Sequence, residues 1–313
     1  MQAIIAKISR KLLINELTPD KFVRKTNNGN NEIYVITHQD SPYVMMEIGR
    51  LRELTFRYAG GGTGKSVDID EYDASSHPYK QLLVWNPEHK EIVGAYRYIK
   101  CKDAGYKNKL VDLATTELFE LSETFTQKYL SQTIELGRSF VQPNYQPGEN
   151  FRKGLFSLDN LWDGLGAIIV DNPDCHYFFG KVTMYTHYNI PSRDMLLAFM
   201  KHYFPDVENL VKPIHPVLAQ TNVSGFLNEI KDLPYKEGHL VLNKHVRELG
   251  ENIPPLINAY MNLSPTMKSF GTSINPGFGN VEETGILVDI NDIYESKKQR
   301  HVDSYILEKQ NRK

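Results

Sequence analysis

Glu135-Leu-Gly-Arg138 sets an acid and a base around a glycine inside a strand-like run that ends at Val141-Gln-Pro143. A carboxylate so placed can take a proton from an attacking nucleophile, and a guanidinium can hold an anion. Arg152-Lys-Gly154 follows at what reads as the start of a helix. Two cations beside the N–H groups of a helix N-terminus suit a pyrophosphate or phosphodiester. A third set, Asp68-x-Asp70-x-x-Asp73, reads in three ways: a hard-cation site, a solvated acidic loop, or a surface for a cationic or amine group. Arg97 lies in an otherwise apolar run, where a buried guanidinium needs a carboxylate or phosphate partner.

The elements that carry these residues follow from periodicity and punctuation. Leu82-Leu-Val-Trp-Asn86, a polar Pro87–Lys90 connector and Glu91 to Ile99 predict a hairpin that holds Arg97 on its second strand. Gly94 weakens that strand unless another backbone comes close. In a flat strand Glu135 and Arg138 would point to opposite faces, so they can serve one site only through an extra residue, and Gly137 invites a bulge. Residues 43–59 read as a charged helix that stops at Gly60-Gly-Gly62. After Gly154 the stripe Leu158, Leu161, Trp162, Leu165, Ile168 and Ile169 predicts a further helix. Then come the aromatic strand 175–184, a helix from Ser192 to Phe204, and a helix opened by Pro254-Pro255. Two runs, 269–274 and 282–290, close the series as paired strands. Met1 to Leu17 has the spacing of a basic amphipathic helix, packed on the core or lying on a membrane surface, and the basic tail from Lys297 is expected to fray.

Ala59-Gly-Gly-Gly-Thr-Gly-Lys-Ser66 has the relaxed spacing of a phosphate-binding loop. Such a loop needs a buried strand before it and a helix after it, whereas here a charged helix precedes and Val67-Asp-Ile-Asp-Glu-Tyr-Asp73 follows. Several other chemistries are absent from the sequence. It has no Gly-x-Ser-x-Gly elbow, no His-Glu-x-x-His and no His-x-x-x-x-Asp of the kind that glycerolipid O-acyltransferases carry, so a covalent serine mechanism finds no support. Cys101 and Cys175 lie far apart, which suggests neither a disulfide framework nor a zinc site and fits a reducing cytoplasm. The formal net charge of −2 over 313 residues argues against a general nucleic-acid binder. No apolar run reaches the roughly 18 residues of a membrane span, and the first residues lack the apolar core and small-residue cleavage pattern of a signal peptide, so export by that route is not expected. Neither an internal repeat nor a linker is evident. The expected organisation is an N-terminal helix and strand over 1–42, one elaborated domain over 43–292, and a basic tail over 293–313.

At these residues the sequence resembles the GNAT superfamily, in its branch that takes acyl groups from acyl carrier protein. The order helix, Asp68-x-Asp70-x-x-Asp73, Gly94-x-x-Arg97, Glu135-x-x-Arg138 is similar to that of acyl-homoserine lactone synthases. Closer is the resemblance to the ornithine-lipid and glycine-lipid N-acyltransferases, sometimes labelled hemolysin-like. It rests on Gly49-Arg-Leu-Arg-Glu53, Gly62-Thr-Gly64, Asp68-Ile-Asp70, Glu135-Leu-Gly-Arg-Ser139, Leu161-Trp162, Phe204-Pro-Asp206 and Pro254-Pro-Leu-Ile-Asn-Ala-Tyr260. It spans about residues 43 to 290. The resemblance implies an α/β (α+β) fold with a GNAT-like mixed central sheet flanked by helices and a C-terminal helix and strand extension. It implies transfer of a long-chain (3-hydroxy)acyl group to the α-amine of glycine or ornithine in aminolipid synthesis. Glu135 would be the base and Arg138 its companion. Asp68, Asp70, Asp73, Arg97 and Arg52 would face the acceptor, with the two arginines at 97 and 138 either holding a carboxylate or bracing the acidic loop.

Val141, Arg152, Lys153 and Gly154 would meet the donor, an acyl-phosphopantetheine thioester on acyl carrier protein or coenzyme A. No tightly bound cofactor and no metal are implied. The usual pyrophosphate loop is represented only by Arg152-Lys-Gly154, which is compatible with a protein-borne donor, and Lys100, Lys102, Lys107 and Lys109 with Arg152-Lys153 read either as a docking patch for an acidic carrier protein or as scattered solvated lysines. The expected place is the cytoplasm, at or near the inner membrane face, with residues 1–17 as the membrane contact. The competing readings are a lactone-type signal synthase and a non-catalytic acyl-carrier or lipid-surface binding protein.

Overall fold

Helical and strand periodicities resolve into the elements they predict, with the largest departures at the two ends of the chain. The computed structural model describes residues 1–146, Gly154 and residues 156–311, so Arg152 and Lys153 lie outside the described residues. The described residues fall into two compact units, one drawn from within 1–114, 131–176 and 294–311, the other from 115–130 and 177–293.

The first unit opens on an extended segment, with Gln2 N–H donating to Gly64 O at 2.8 Å and Ile5 N–H to Ser66 O at 3.1 Å. Helix α1 covers only Arg10–Glu16, not the whole of residues 1–17. An isolated short helix is marginal, and here the first residues bond to neighbouring segments instead. Lys7 and Arg10 reach Glu91 at 3.0 and 2.9 Å, and Ile8 N–H donates to Glu47 Oε2 at 3.0 Å. Strands β1 (Phe22–Lys25) and β2 (Glu32–Ile36) lead to helix α2 (Pro42–Tyr58). Proline stands in its first turn, Val44, Met45, Ile48 and Leu51 are buried, and left-handed glycines at 60 and 62 follow its end. The four-residue helix α3 (Glu71–Ala74) precedes the expected hairpin, β3 (Lys80–Asn86) and β4 (Glu91–Lys100). A small ribbon, β5 (Tyr106–Lys107) and β6 (Leu110–Val111), closes this stretch.

The chain then supplies β7 (Phe119–Leu121) and α4 (Glu123–Lys128) to the second unit and returns with β8 (Thr133–Val141) and α5 (Ser157–Asp171). In the first unit β1, β2, β3, β4 and β8 pair antiparallel in that order. Helix α2 lies on the face carrying Gln81, to which Arg52 donates, and α5 on the opposite face, where a Cβ on Gly164 would come within 2.5 Å of Leu82. Both faces being covered, β3 reads as a nearly continuous buried run.

The second unit continues with β9 (Tyr177–Met184), α6 (Ile190–Tyr203), β10 (Val211–Pro213), α7 (Ser224–Ile230), α8 (Tyr235–Glu248), α9 (Pro255–Met261), β11 (Lys268–Asn275) and β12 (Val281–Asp289). Strand β12 runs between β9 and β11, antiparallel to both, and β10 pairs with β7. In Phe204-Pro-Asp206, the aspartate accepts from Leu210 N–H at 2.6 Å and Val211 N–H at 3.3 Å, so that motif shapes a turn.

The tail does not fray. It forms α10 (Glu295–Lys298), a π-helical turn over 299–303 and α11 (Ser304–Asn311) in the first unit. His301 is buried with Nδ1 2.7 Å from Asp163 Oδ1, and its carbonyl lies where a Cβ on Gly166 of α5 would approach to 2.2 Å. The partners lie 138 residues upstream, so no local pattern announces them.

Candidate active site

The acidic segment is built by helix α2. Gly49 has no Cβ to collide with Val67 and Ile69, which would stand 2.6 and 2.7 Å away, and its carbonyl accepts from Asp68 N–H at 3.0 Å. One turn further, Arg52 is fully buried and reaches Asp73 Oδ2 at 3.0 Å and Gln81 Oε1 at 2.5 Å. Gln81 returns a bond from Nε2 to Asp73 Oδ1 at 2.9 Å. Asp70 caps α3, and Asp73 closes the capping box by accepting from Asp70 N–H at 3.2 Å.

The other two arginines arrive from the sheet. Arg97 Nη1 lies 2.7 Å from both oxygens of Asp70 and 3.4 Å from Asp73, and its guanidinium sits over the rings of Tyr72 and Tyr79 at 5.5 and 5.1 Å. Arg138 Nε is 3.0 Å from Asp68 Oδ2, and its Nη2 is 3.5 Å from Asp70. Of the two roles open to these arginines from sequence, bracing the acidic loop is the one this structure contains. Each aspartate faces an arginine, and among the described residues no group of His, Cys, Asp or Glu has the arrangement to hold a metal ion.

The bulge is present. Ala95 pairs with Phe140 and Arg97 with Gly137, so Arg138 and Ser139 stand opposite the single residue Tyr96. The left-handed conformation falls on Arg138, at φ 47°, not on Gly137. Gly94 serves the same pairing from the other side: a Cβ there would meet Phe140 O at 2.4 Å. Glu135 is buried at 1% exposure and accepts a hydrogen bond from the Tyr79 hydroxyl, which in turn accepts from Ala114 N–H at 3.0 Å. Glu135 and Arg138 therefore reach one continuous cluster: Glu135 to Tyr79, the Tyr79 ring to Arg97, Arg97 to Asp70, Asp70 to Arg138.

Charge and burial compete here with different winners. Burial pushes the Asp68 carboxyl up, and Arg138 does not fully offset it. For Asp70 burial is again the largest influence, but Arg97 and then Arg138 outweigh it and hold the carboxyl well below the usual range. Burial, then the charge of Glu135, pushes the Tyr79 hydroxyl well up, so it stays a proton donor to that carboxylate.

Tyr79 is the residue that sequence reasoning missed, together with Gln81. The available signal was Gln81 as a polar residue at the head of an apolar strand, with Tyr79 two positions earlier. On the donor side Val141 ends β8, half-buried, and a Cβ on Gly154 would meet Tyr145 O at 2.5 Å. Gly154 thus owes its identity here to a close backbone approach.

The Gly60–Ser66 loop holds an anion of its own. Glu53, fully buried, accepts from Thr63 N–H at 3.0 Å, Thr63 Oγ1 at 2.7 Å, Gly64 N–H at 2.7 Å and Arg57 Nε at 2.6 Å. Burial acts upward on its carboxyl, and the bonds from Thr63 and Arg57 more than reverse it. The glycines at 60, 62 and 64 have positive φ, which lets the backbone curl around that carboxylate.

Comparison with known proteins shows the family. Residues 51–153 match the acetyltransferase (GNAT) domain family. The chain is 54% identical over 307 residues to a glycine N(alpha)-acyltransferase of Bacteroides thetaiotaomicron, covering 98% of this chain and 91% of that one. To a glycine N(alpha)-acyltransferase of Phocaeicola vulgatus it is also 54% identical over 307 residues, covering 98% and 94%. No solved structure matches the chain.

Proposed function

The chain belongs to the GNAT N-acyltransferases, and from that premise we propose that it transfers a long-chain acyl group from a phosphopantetheine thioester to the α-amine of glycine. The supporting observation is the near-full-length similarity to two glycine N(alpha)-acyltransferases. The α/β fold with helix-flanked strands agrees with the family. The finer reading takes acyl carrier protein as the donor, aminolipid synthesis as the setting and residues 43–292 as the catalytic domain.

In the proposed step the amine nitrogen attacks the thioester carbonyl carbon, the C–S bond breaks, and the thiolate leaves and is protonated. Glu135, directly or through water, takes the proton the amine loses, and Tyr79 holds that carboxylate in place. The backbone at the Arg138–Ser139 bulge, out of ladder register, would supply N–H groups to the tetrahedral oxyanion. Arg138, with Arg97 and Arg52, keeps Asp68, Asp70 and Asp73 in the arrangement that meets the acceptor. Val141, Gly154 and the cations Arg152 and Lys153 are assigned to the pantetheine end of the donor.

Purified protein is incubated with palmitoyl or 3-hydroxypalmitoyl carrier protein, or the matching coenzyme A esters, and a panel of glycine, serine, ornithine and S-adenosylmethionine. Mass spectrometry should find N-acylglycine as the main product, faster from the carrier protein. N-acylornithine or an acyl lactone in its place would transfer the assignment to those acceptors. Donor binding without any N-acyl product would reject glycine acylation.

A further inference from the structure

We propose that the β5–β6 ribbon is a membrane-seating element that inserts into an anionic phospholipid surface. Tyr106 pairs with Val111 and Lys107 with Leu110, across a turn whose residues Asn108 and Lys109 have φ of 53° and 67°. Two left-handed residues at the turn match the twist of a tight hairpin and hold it in one shape. Val111 is buried at the ribbon's base, and Gly105 O accepts from Asp112 N–H at 2.8 Å. Beyond that base every residue from 106 to 110 is exposed, Tyr106 at 69% and Leu110 at 73%.

The two apolar side chains belong to different cross-strand pairs, so they stand on opposite faces of the ribbon. A protein partner docks against one face. A lipid interface surrounds both, and it accepts a tyrosine at headgroup depth and a leucine below it. Charge points the same way. Lys100 and Lys102 are taken up by Asp174 at 3.2 and 2.5 Å. At the tip, Lys107 lies 3.9 Å from Glu71 with both side chains about two-thirds exposed, a contact that solvent screens. Lys109 has no ion-pair partner among the described residues. The tip thus presents two exposed cations beside two exposed apolar groups, a combination complementary to anionic headgroups above acyl chains. The N-terminus offers less: Ile4, Ile5, Ile8 and Leu12 are half-buried and Leu13 is buried.

The use of such a seat rests on the acyltransfer reading, because an N-acylated amino acid is an amphiphile that partitions into lipid. The binding itself does not depend on it. The test is co-sedimentation of the full chain, without donor or acceptor, with phosphatidylcholine vesicles and with phosphatidylglycerol-rich vesicles. The intact protein should bind the second kind and leave the first largely unbound. Tyr106→Ser with Leu110→Ser should weaken that binding roughly tenfold or more. Lys107→Gln with Lys109→Gln should weaken it about fivefold per lysine and abolish the preference for phosphatidylglycerol. Tyr106→Trp should shift its fluorescence to the blue on those vesicles only.

Acyltransfer to glycine in detergent, from a coenzyme A donor, should be unchanged in the Tyr106/Leu110 variant. Loss of vesicle binding and failure of the glycine reading are therefore separate results. The proposal falls if the intact protein ignores phosphatidylglycerol vesicles or if the Tyr106/Leu110 variant binds them as well. It falls equally if the ribbon proves to join two copies, seen as a lower sedimenting mass of that variant and no vesicle binding by the intact chain.

Discussion

The Gly60–Ser66 loop and the β8 bulge both bend the backbone into left-handed conformations beside charged side chains, yet they resolve their charges differently. In the loop, the N–H groups that a phosphate would use converge on the carboxylate of Glu53, one element back on α2. That anion site is filled by the protein itself. In the bulge, Arg138 leaves the strand register to join a cluster of three arginines and three aspartates that continues through Tyr79 to Glu135. The loop is a closed structural knot, and the bulge is the part of a strand made different from its neighbours at a cost in regular pairing. Glycine-rich spacing marks the first more loudly, whereas the chemistry is assigned to the second.

This contrast is tested most severely at Glu135 and Glu53. Replacing Glu135 with Gln should lower kcat by about 10²–10⁴-fold while the thermal unfolding transition stays cooperative. Near-normal turnover would remove Glu135 from the role of base. Glu53→Gln should leave kcat within twofold or so of the parent and instead cost about 1–3 kcal/mol in urea unfolding, because a charge-assisted acceptor of four bonds is weakened. A large fall in kcat with stability unchanged would turn the loop back into a functional element.

Arg52→Leu probes the cluster as a structure, because it takes the nearer guanidinium, at 3.0 Å, from the fully buried Asp73 and leaves it only the longer contact with Arg97 at 3.4 Å. A loss of about 3–5 kcal/mol is expected by the same unfolding measurement. An effect below 1 kcal/mol or so would mean that Arg97, Gln81 and the backbone suffice to hold Asp73.

How far these regions could be read from sequence depended on the span of their interactions. The β3–β4 hairpin, α2 and the β11–β12 pair were legible because periodicity and turn residues are local. The bulge was legible in place, since Gly137 flagged it, but the left-handed residue is Arg138, whose guanidinium reaches aspartates about seventy residues away that no local pattern points to. Tyr79 and Glu135 are 56 residues apart, and no spacing rule joins them. Both chain ends misled for one reason: amphipathic or basic composition says how a segment behaves alone, and these segments are ordered by Gly64, Ser66, Glu91 and Asp163.

Acid should separate the two regions again. Glu53 and Asp70 both have folded-state values below their ordinary ones, so each adds stability that is complete above the unfolded range near pH 4 and is lost as pH falls through the folded value. Asp68 has the opposite sign: burial raises it, so its contribution favours the folded state at low pH and declines as pH rises toward its folded value. Urea midpoints of the parent and Glu53→Gln should therefore converge as pH is lowered from 5 toward 3, values flanking the roughly pH 4 at which free carboxyls titrate. A constant gap would mean that Glu53 does not titrate differently in the folded chain.

The smallest expected effect isolates the backbone of the bulge. Arg138→Ala and Arg138→Gly both delete the guanidinium from Asp68 and Asp70, and they differ only in whether φ near 47° is strained. A Cβ disfavours that region and glycine does not, so the glycine variant should be more stable than the alanine variant by about 1 kcal/mol. Equal stabilities would mean that β8 can relax into an unbulged register once the side chain is gone. In that case the pull of the aspartates on Arg138, not the turn chemistry of Gly137, makes the bulge, and turnover of both variants should fall together because the out-of-register N–H groups would be lost.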